Sequence, residues 1–222
     1  MKSLKNQQSG FTLVEIAIVL VIIGLLLGGI LKGQELINSA KVKNLATDFK
    51  TVPLYIYGYQ DRFKALPGDD PKAVTNLPAQ TPAVIPGNGN GLIEGFWNVE
   101  DGTSESAIFW QHVRIANFAA GPTAVLDPNY YPRNVEGGRV GISSNSGTFI
   151  PVANMSGTYV FCSAGLLGKY AKQLDTTLDD GNTATGSIRV IDNQPIPQLA
   201  TATSKANSAV DDATPYTVCM AF

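Results

Sequence analysis

The chain has 222 residues, of which 44% are hydrophobic and 15% are charged, and its formal net charge is −2. This length and apolar content are sufficient for one globular domain with a packed core and a separate apolar segment. Because Lys and Arg are scattered along a nearly neutral chain, the composition gives no basic surface of the kind that binds nucleic acid.

The N-terminal segment has the features of a membrane anchor. Residues 1–10 form a polar, basic leader without an acidic residue, and an apolar run follows from Phe11 to Leu31. The run is close to the roughly 20 residues that a helix needs to cross a bilayer. The basic leader should stay in the cytoplasm, which places the chain after Leu31 across the membrane. We therefore predict one membrane span over about residues 11–31.

Two general interpretations of this segment are incomplete. A cleaved secretory signal has a shorter apolar core and a small-residue cleavage site after it, and the residues after Leu31 do not provide one. A plain signal anchor fits the length and the charges but leaves Glu15 unexplained, since an ionisable side chain inside a span costs about 3 kcal/mol. Glu15 therefore needs a partner, and the neighbouring sequence offers none.

A third interpretation comes from the residues at the start of the run. The segment Ser9–Glu15 reads Ser-Gly-Phe-Thr-Leu-Val-Glu, and it resembles the signal of type IV prepilins and type II secretion pseudopilins. The resemblance implies that a membrane-embedded prepilin peptidase cuts between Gly10 and Phe11 and then methylates the new amino group of Phe11. It also implies that Glu15 pairs with the N-terminal amine of a neighbouring subunit, because a carboxylate in a low-dielectric core is tolerated when it is paired.

The same resemblance implies a fold, a set of partners and a location. The fold is α+β, with a long N-terminal helix whose first half spans the membrane and whose second half packs on a C-terminal antiparallel-sheet head. The partners are prepilin peptidase, other pilin or pseudopilin subunits and an inner-membrane assembly platform, with nucleic acid only as a ligand of a pilus. The protein would be a single-pass inner-membrane protein with a periplasmic head, and later part of a periplasmic or cell-surface filament.

The helix is predicted to continue beyond the span, so that it covers residues 11–58. From Gln34 onward, apolar residues recur at steps of three and four, which is typical of one buried helix face. Pro53 should kink or interrupt this helix, because it lacks an N–H group and clashes with the preceding turn. The predicted buried face comprises Leu36, Ile37, Val42, Leu45, Ala46 and Phe49.

The head, residues 59–222, is predicted to mix loops, short helices and strands. Repeated Pro and Gly predict a loop region from Asp61 to Gly95, and Ser104 predicts the N-cap of a helix that ends near Asn117. A second helix is predicted from Ala164 to Leu174, and a flexible loop from Ala200 to Asp212. Short runs bounded by Gly, Pro or Asn predict an antiparallel sheet; these runs are Arg139–Ile142, Thr148–Val152, Thr158–Cys162, Ser187–Ile191 and Tyr216–Met220.

The two cysteines, Cys162 and Cys219, lie far apart in the sequence. In a cytosolic protein they would be unrelated thiols, whereas in an oxidising compartment they can close a loop. The predicted topology places both outside the cytoplasm, and pilins, which the chain resembles, often close a C-terminal loop in this way. We therefore predict a disulfide that holds the C-terminal strand.

The sequence offers no catalytic or zinc-binding set. His112 is the one histidine, and its position on the apolar face of a predicted helix favours a buried structural role. Three polar turns resemble calcium loops faintly, and ordinary turn chemistry is the favoured interpretation of each. The calcium candidates are Asn88, Asn90 and Glu94 in the first turn, Asp179 and Asp180 in the second, and Asp69 and Asp70 in the third.

Two functions of different classes fit these features. The favoured one is a structural filament subunit, a pilin or pseudopilin, without enzymatic activity or a required cofactor. The alternative is a minor or tip subunit whose head binds DNA, a surface or a secreted substrate. Abundance in purified filaments separates the two, since a tip subunit is rare. A signal-anchored periplasmic enzyme is a third interpretation, against which the missing catalytic set argues.

Overall fold

The computed structural model of the chain describes residues 12–79 and 83–222. The chain divides into two compact units, Met1–Lys41 and Val42–Phe222. The predicted fold class is confirmed, because a long N-terminal helix and a C-terminal antiparallel sheet of four strands form an α+β, pilin-like architecture.

Helix α1, Leu13–Phe63, carries a stripe of buried side chains within the second unit. The stripe begins at Val42, and its members recur at steps of three and four, so that they share one helix face. The prediction that Leu36 and Ile37 belong to this face was wrong, since they are 62% and 58% exposed. Both lie in the first unit, which precedes the packed core. The buried stripe comprises Val42, Leu45, Ala46, Phe49, Val52, Ile56 and Tyr59.

Pro53 does not end helix α1, which continues beyond the predicted end at Gly58 to Phe63. A proline inside a helix costs about 3 kcal/mol, because it removes one backbone hydrogen bond and crowds the preceding turn. The turn after Pro53 buries Ile56 and Tyr59 completely. Burial of two large side chains contributes a similar free energy, and this packing keeps the helix continuous.

The sheet contains four strands in the order β1-β2-β4-β3, and every neighbouring pair is antiparallel. The C-terminal strand therefore lies in the middle of the sheet, between β2 and β3. The predicted strand at Thr148–Val152 is wrong, since only Val152 pairs there, in an isolated parallel bridge with Ala202. The strands are β1 Val140–Ser144, β2 Tyr159–Leu167, β3 Ile188–Asp192 and β4 Pro215–Ala221.

Three shorter helices complete the second unit. Helix α2, Ala73–Asn76, lies within the predicted loop region, and helix α3, Glu105–Ile115, follows Ser104 as predicted. Helix α4 is Gly168–Leu178 rather than Ala164–Leu174, because residues 164–167 extend β2, where Leu166 pairs with Tyr216. The segment from Ala200 to Asp212 is irregular apart from the bridge at Ala202 and one 3-10 turn at Asn207–Ala209.

Each face of the sheet contributes to a different core cluster. Phe161 of β2 and Val218 of β4 join the main core with α1, α3 and α4. Their neighbours along the strands, Cys162 and Cys219, join a smaller cluster with Trp97. This division follows from the strand geometry, since successive side chains point to opposite faces.

Candidate processing and assembly site

The first unit exposes a long apolar surface in which Glu15 is the charged residue. In the apolar segment (residues 13–31), every side chain is exposed, and Leu13 reaches 91% exposure. Among residues 12–79 and 83–222, α1 is the one helix that is long and apolar enough to cross a membrane. A helix that is apolar on all sides is suited to lipid or to other apolar helices rather than to water.

Thr12 and Glu15 form a reciprocal cap at the start of α1. Glu15 Oε2 accepts hydrogen bonds from the backbone N–H of Thr12 at 2.8 Å and from the Thr12 hydroxyl at 2.7 Å. In return, the Glu15 N–H donates to Thr12 Oγ1 at 3.3 Å. This is the capping-box arrangement, in which a Thr before the helix and a Glu three residues later satisfy each other's free groups.

The cap gives Glu15 a local partner, which the sequence analysis did not find. The partner is not an opposite charge but the neutral Thr12, which supplies two hydrogen-bond donors. The negative charge also lies at the positive end of the helix dipole. Glu15 is therefore hydrogen-bonded within a single chain, before any neighbouring subunit is considered.

A comparison with protein families identifies the N-terminal segment, in which a basic leader precedes the Thr12–Glu15 cap and the apolar segment. Residues 5–31 match the family described as the prokaryotic N-terminal methylation motif. The chain carries the type IV prepilin and pseudopilin signal. Comparison with curated proteins and with solved structures found no match for this chain. The prepilin signal ends before the second unit begins at Val42.

Of the three predicted site residues in the prepilin signal, the structure describes Glu15. Gly10 and Phe11, the predicted cleavage and methylation positions, lie outside the described residues. Glu15 lies in the first turn of α1. The roles of Gly10, Phe11 and Glu15 in processing and assembly stay predictions.

Removing the Thr12 hydroxyl should loosen the first turn of the helix that carries the prepilin signal. Thr12→Val keeps the side-chain volume but removes the hydroxyl that bonds Glu15, and loss of an N-cap costs about 1 kcal/mol. Amide hydrogen exchange at Glu15 and Ile16, whose N–H groups bond to Thr12, should become about fivefold faster in the full chain in detergent micelles, since 1 kcal/mol corresponds to that ratio. Thr12→Ser, which keeps the hydroxyl, should exchange at the original rate. Equal rates in all three proteins would contradict the cap.

Cys162 and Cys219 form a disulfide in the second unit. The two residues are directly opposed in the register of β2 and β4, and their Cα atoms lie 4.0 Å apart. Both are fully buried beside Trp97. The bond therefore links the C-terminal strand to its neighbour from within the smaller core cluster.

His112 is a buried structural residue in α3. Its Nδ1 accepts a hydrogen bond from the Gly68 N–H at 2.9 Å, so the ring proton resides on Nε2, which donates to the Ile85 carbonyl at 2.7 Å. Burial lowers the pKa of His112, which favours the neutral ring that this pattern requires. Because both ring nitrogens are used by the backbone, His112 fixes two loops and has no free nitrogen for catalysis.

The first calcium candidate turn directs amide donors at two buried carboxylates. Asp69 accepts the N–H groups of Gly89, Asn90 and Gly91 at 2.6, 3.0 and 2.7 Å. Glu105 accepts the N–H groups of Asn88 and Glu94, each at 3.0 Å. Burial raises the pKa of Glu105, and the neighbouring Asp69 adds to the rise. The turn is therefore wrapped around protein carboxylates, whereas a calcium loop directs oxygen atoms inward.

The candidate side chains in this turn also have protein partners. Asn88 Nδ2 donates to Glu94 Oε2 at 2.8 Å, and Asn90 Oδ1 accepts the Leu92 N–H at 2.9 Å. In the third candidate turn, Asp70 likewise accepts the Tyr59 hydroxyl at 2.9 Å. These oxygens stabilise the loop itself.

The second candidate turn is likewise held by its own carboxylates. Asp179 accepts the Ile188 N–H at 2.8 Å, and Asp180 accepts the Asn182 N–H and the Thr185 hydroxyl, both at 2.8 Å. Among residues 12–79 and 83–222, no group of three or more His, Cys, Asp or Glu side chains is arranged to hold a metal ion. Calcium binding stays a prediction, and these contacts do not supply an argument for it.

Two features of the structure were missed by the sequence analysis. Thr12 was quoted only as part of the motif, although the spacing of Thr and Glu is the signature of a capping box. Asp175 in α4 is fully buried and neither of its carboxylate oxygens has a hydrogen-bond partner among the described residues. Its place on the buried face of α4 beside Ala171 and Leu174 was detectable only once the helix was correctly bounded.

Proposed function

We propose that the chain is a structural subunit of a type IV pilus-like or type II secretion filament. In this proposal, prepilin peptidase cuts after Gly10 and methylates the amine of Phe11. The observation that carries the proposal is the methylation motif at residues 5–31, with its apolar segment exposed on every side. A matched signal of this kind belongs to subunits that are built into filaments, and we assign no catalytic role to the chain.

The apolar segment would provide the assembly surface. Between helices in a bilayer, association comes from van der Waals packing and from hydrogen bonds rather than from exclusion of water. Exposed side chains are available for such contacts, and the apolar segment consists of them. Neighbouring subunits would bury this surface as they leave the membrane.

Cleavage would give Glu15 a stronger partner than Thr12. The new amine at Phe11 carries a positive charge, and in a filament it would meet the Glu15 carboxylate of a neighbouring subunit. A charge-assisted hydrogen bond is roughly twice as strong as a neutral one, and low dielectric strengthens it further. The capping box would thus hold the carboxylate in the single chain, and docking would exchange part of the cap for an ion pair.

The implied partners and location follow from this role. We expect prepilin peptidase, other pilin or pseudopilin subunits and an inner-membrane assembly platform to contact the chain. The second unit would lie in the periplasm before assembly. A fully buried disulfide supports this placement, since such bonds persist in oxidising compartments.

Processing is the direct test of this proposal. When the full chain is co-expressed with a prepilin peptidase, mass spectrometry of the membrane product should show the loss of residues 1–10 and a methyl group on Phe11. Gly10→Val should block both changes. Gly24→Val is the matched control, because a Cβ at Gly24 has no neighbour within 4 Å among the described residues beyond its own stretch of helix, and it should still be processed. An intact Met1 beside active peptidase would contradict the proposal.

A second variant separates processing from assembly. Glu15→Gln removes the charge but keeps a side-chain oxygen that can cap the Thr12 N–H. It should be cut and methylated normally, yet it should be absent from filaments sheared from cells that carry the assembly machinery. Normal incorporation of Glu15→Gln into filaments would contradict the proposed ion pair. It would not affect the conclusion about processing.

A further inference from the structure

Residues 88–91, here the Asn-Gly loop, contain the two Asn-Gly pairs of the chain, Asn88–Gly89 and Asn90–Gly91. All four residues are exposed. Asparagine deamidates readily when glycine follows it, because glycine has no side chain to obstruct ring closure and its backbone adopts the required angles at little cost. An exposed loop with two such pairs is therefore expected to lose its side-chain amides unless the fold prevents the reaction.

Deamidation begins when the backbone nitrogen of the glycine attacks the amide carbon of the preceding asparagine side chain. A bond forms from this nitrogen to Cγ, the bond from Cγ to Nδ2 breaks, and Nδ2 leaves as ammonia with the proton of the glycine N–H. Water then opens the cyclic imide to aspartate or isoaspartate, each of which is negatively charged at neutral pH. The freedom of the glycine N–H therefore controls the rate of the first step.

One buried carboxylate holds both attacking nitrogens. Asp69 is 3% exposed, and its Oδ1 accepts the Gly89 N–H at 2.6 Å, while its Oδ2 accepts the Gly91 N–H at 2.7 Å. The chain before the loop also packs closely on this residue, since a Cβ at Gly87 would lie 2.3 Å from the Asp69 Cα. Neither nitrogen can turn towards an asparagine side chain without breaking a charge-assisted hydrogen bond.

The asparagine side chains are held in the same loop. Asn88 Oδ1 accepts the Asn90 N–H at 2.9 Å, and Asn90 Oδ1 accepts the Leu92 N–H at 2.9 Å. Asn88 Nδ2 donates to Glu94 Oε2 at 2.8 Å. Deamidation of Asn88 would replace this donor with an oxygen, so that two carboxylates would face and repel each other. The reaction would therefore loosen the loop as well as change its charge.

We propose that Asn88 and Asn90 are latent deamidation sites that Asp69 keeps intact. Asp69 acts as a positioning residue, because it holds the N–H groups of Gly89 and Gly91 away from the asparagine amides. Its negative charge adds to this restraint, since an anion beside a glycine nitrogen disfavours the loss of the nitrogen's proton. The inference is independent of the proposed filament role.

The rates of deamidation in charge variants test the proposal. Peptide mapping of the full chain, kept in detergent micelles at neutral pH, measures the conversion of each asparagine to an acid over time. Asp69→Asn removes the charge at constant size. Both Asn88 and Asn90 should then deamidate at least about tenfold faster, since a hydrogen bond to a charged group accounts for roughly that factor.

Asp70→Asn is the matched control. Asp70 is similarly buried, and its carboxylate bonds groups outside the Asn-Gly loop, namely those of Tyr59, Lys72 and Asn76. Deamidation in this variant should proceed at the rate of the unmodified chain. Equal acceleration in both variants would assign the effect to general loosening of the fold, and no acceleration in Asp69→Asn would leave Asp69 without the proposed role. Either result would overturn the proposal.

A measurement on the unmodified chain keeps the test decisive if Asp69→Asn does not fold. Unfolding in urea with the disulfide intact frees both glycine N–H groups, so Asn88 and Asn90 should deamidate at least about tenfold faster than in the folded chain. In the folded chain, amide hydrogen exchange at Gly89 and Gly91 should be slow, because the same opening exposes each N–H to exchange and to ring closure. Equal deamidation rates in the two states, or unprotected exchange at these glycines, would contradict the proposal.

Discussion

Replacement of both cysteines, Cys162→Ala with Cys219→Ala, should lower the free energy of unfolding of the second unit by about 4 kcal/mol. The bond closes a loop with a sequence separation of 57 residues, and on chain-entropy grounds a crosslink of that span removes about this much free energy from the unfolded state. Because strand β4 lies between β2 and β3, the loss should affect the whole sheet. Alanine is chosen since both positions are fully buried.

Urea unfolding of the full chain in micelles, followed by tryptophan fluorescence, measures this difference. Both tryptophans lie in the second unit. The urea dependence of the free energy should also become steeper, because an unfolded chain without the crosslink exposes more surface. The unmodified chain under a reducing agent is the control and should match the double variant. A loss below about 1 kcal/mol in both would show that packing, rather than the bond, holds β4.

The order of helices and strands in this chain could be predicted because the sequence patterns that determine most of them extend over only a few residues. The apolar segment and the repeat of apolar residues from Gln34 onward each act over a few residues, and both gave helix α1, although Leu36 and Ile37 lie outside its buried stripe. Ser104 occupies the N-cap position of α3 as predicted, but its hydroxyl donates to Asp101 rather than to the helix backbone. Four of the five predicted strands form, for the same reason. The motif from Ser9 to Glu15 could be found because its function requires a fixed order of residues, which no packing partner can alter.

The errors arose where tertiary packing overrides a local rule. Pro53 was predicted to kink or interrupt the helix; it does not interrupt it, because burial of Ile56 and Tyr59 keeps the following turn helical. Ala and Leu favour helices, and the predicted helix therefore began at Ala164, yet pairing of Leu166 with Tyr216 holds residues 164–167 in β2. Such pairings join positions that are remote in sequence, so a reading of nearby residues does not contain them.

The candidate site was predicted only in part, because some of its contacts are made by neutral side chains and by the backbone. Glu15 was found from its charge in an apolar run, whereas its partner Thr12 was missed because only charges were considered. The acidic turns were detected as clusters of oxygen atoms. Asp69 instead accepts hydrogen bonds from the backbone N–H groups of Gly89 and Gly91. Every residue type except proline has a backbone N–H, so the residue types at these positions do not predict such bonds.

Replacement of Asp175 with Asn should stabilise the second unit at neutral pH. Burial raises the pKa of Asp175 from 3.8 to about 6, with further increases from Asp180 and Asp179, although the Gly181 N–H acts in the opposite direction. The folded protein therefore binds this proton more tightly than the unfolded chain does. The stability from the neutral carboxyl is fully present below about pH 4 and is lost as the pH rises through about 6.

Above pH 6 the folded unit must hold a buried anion that the Gly181 N–H stabilises only in part, at a cost of up to about 3 kcal/mol. Asp175→Asn removes the charge at constant size. We therefore expect a gain of about 2 kcal/mol at pH 7.5 and no gain at pH 4. Urea unfolding at both pH values measures this difference, with Asp61→Asn as the exposed control. A gain of equal size at both pH values would mean that Asp175 acts through packing rather than through its charge. The predicted pattern would instead identify this carboxylate as a group whose ionisation weakens the contact of α4 with the sheet.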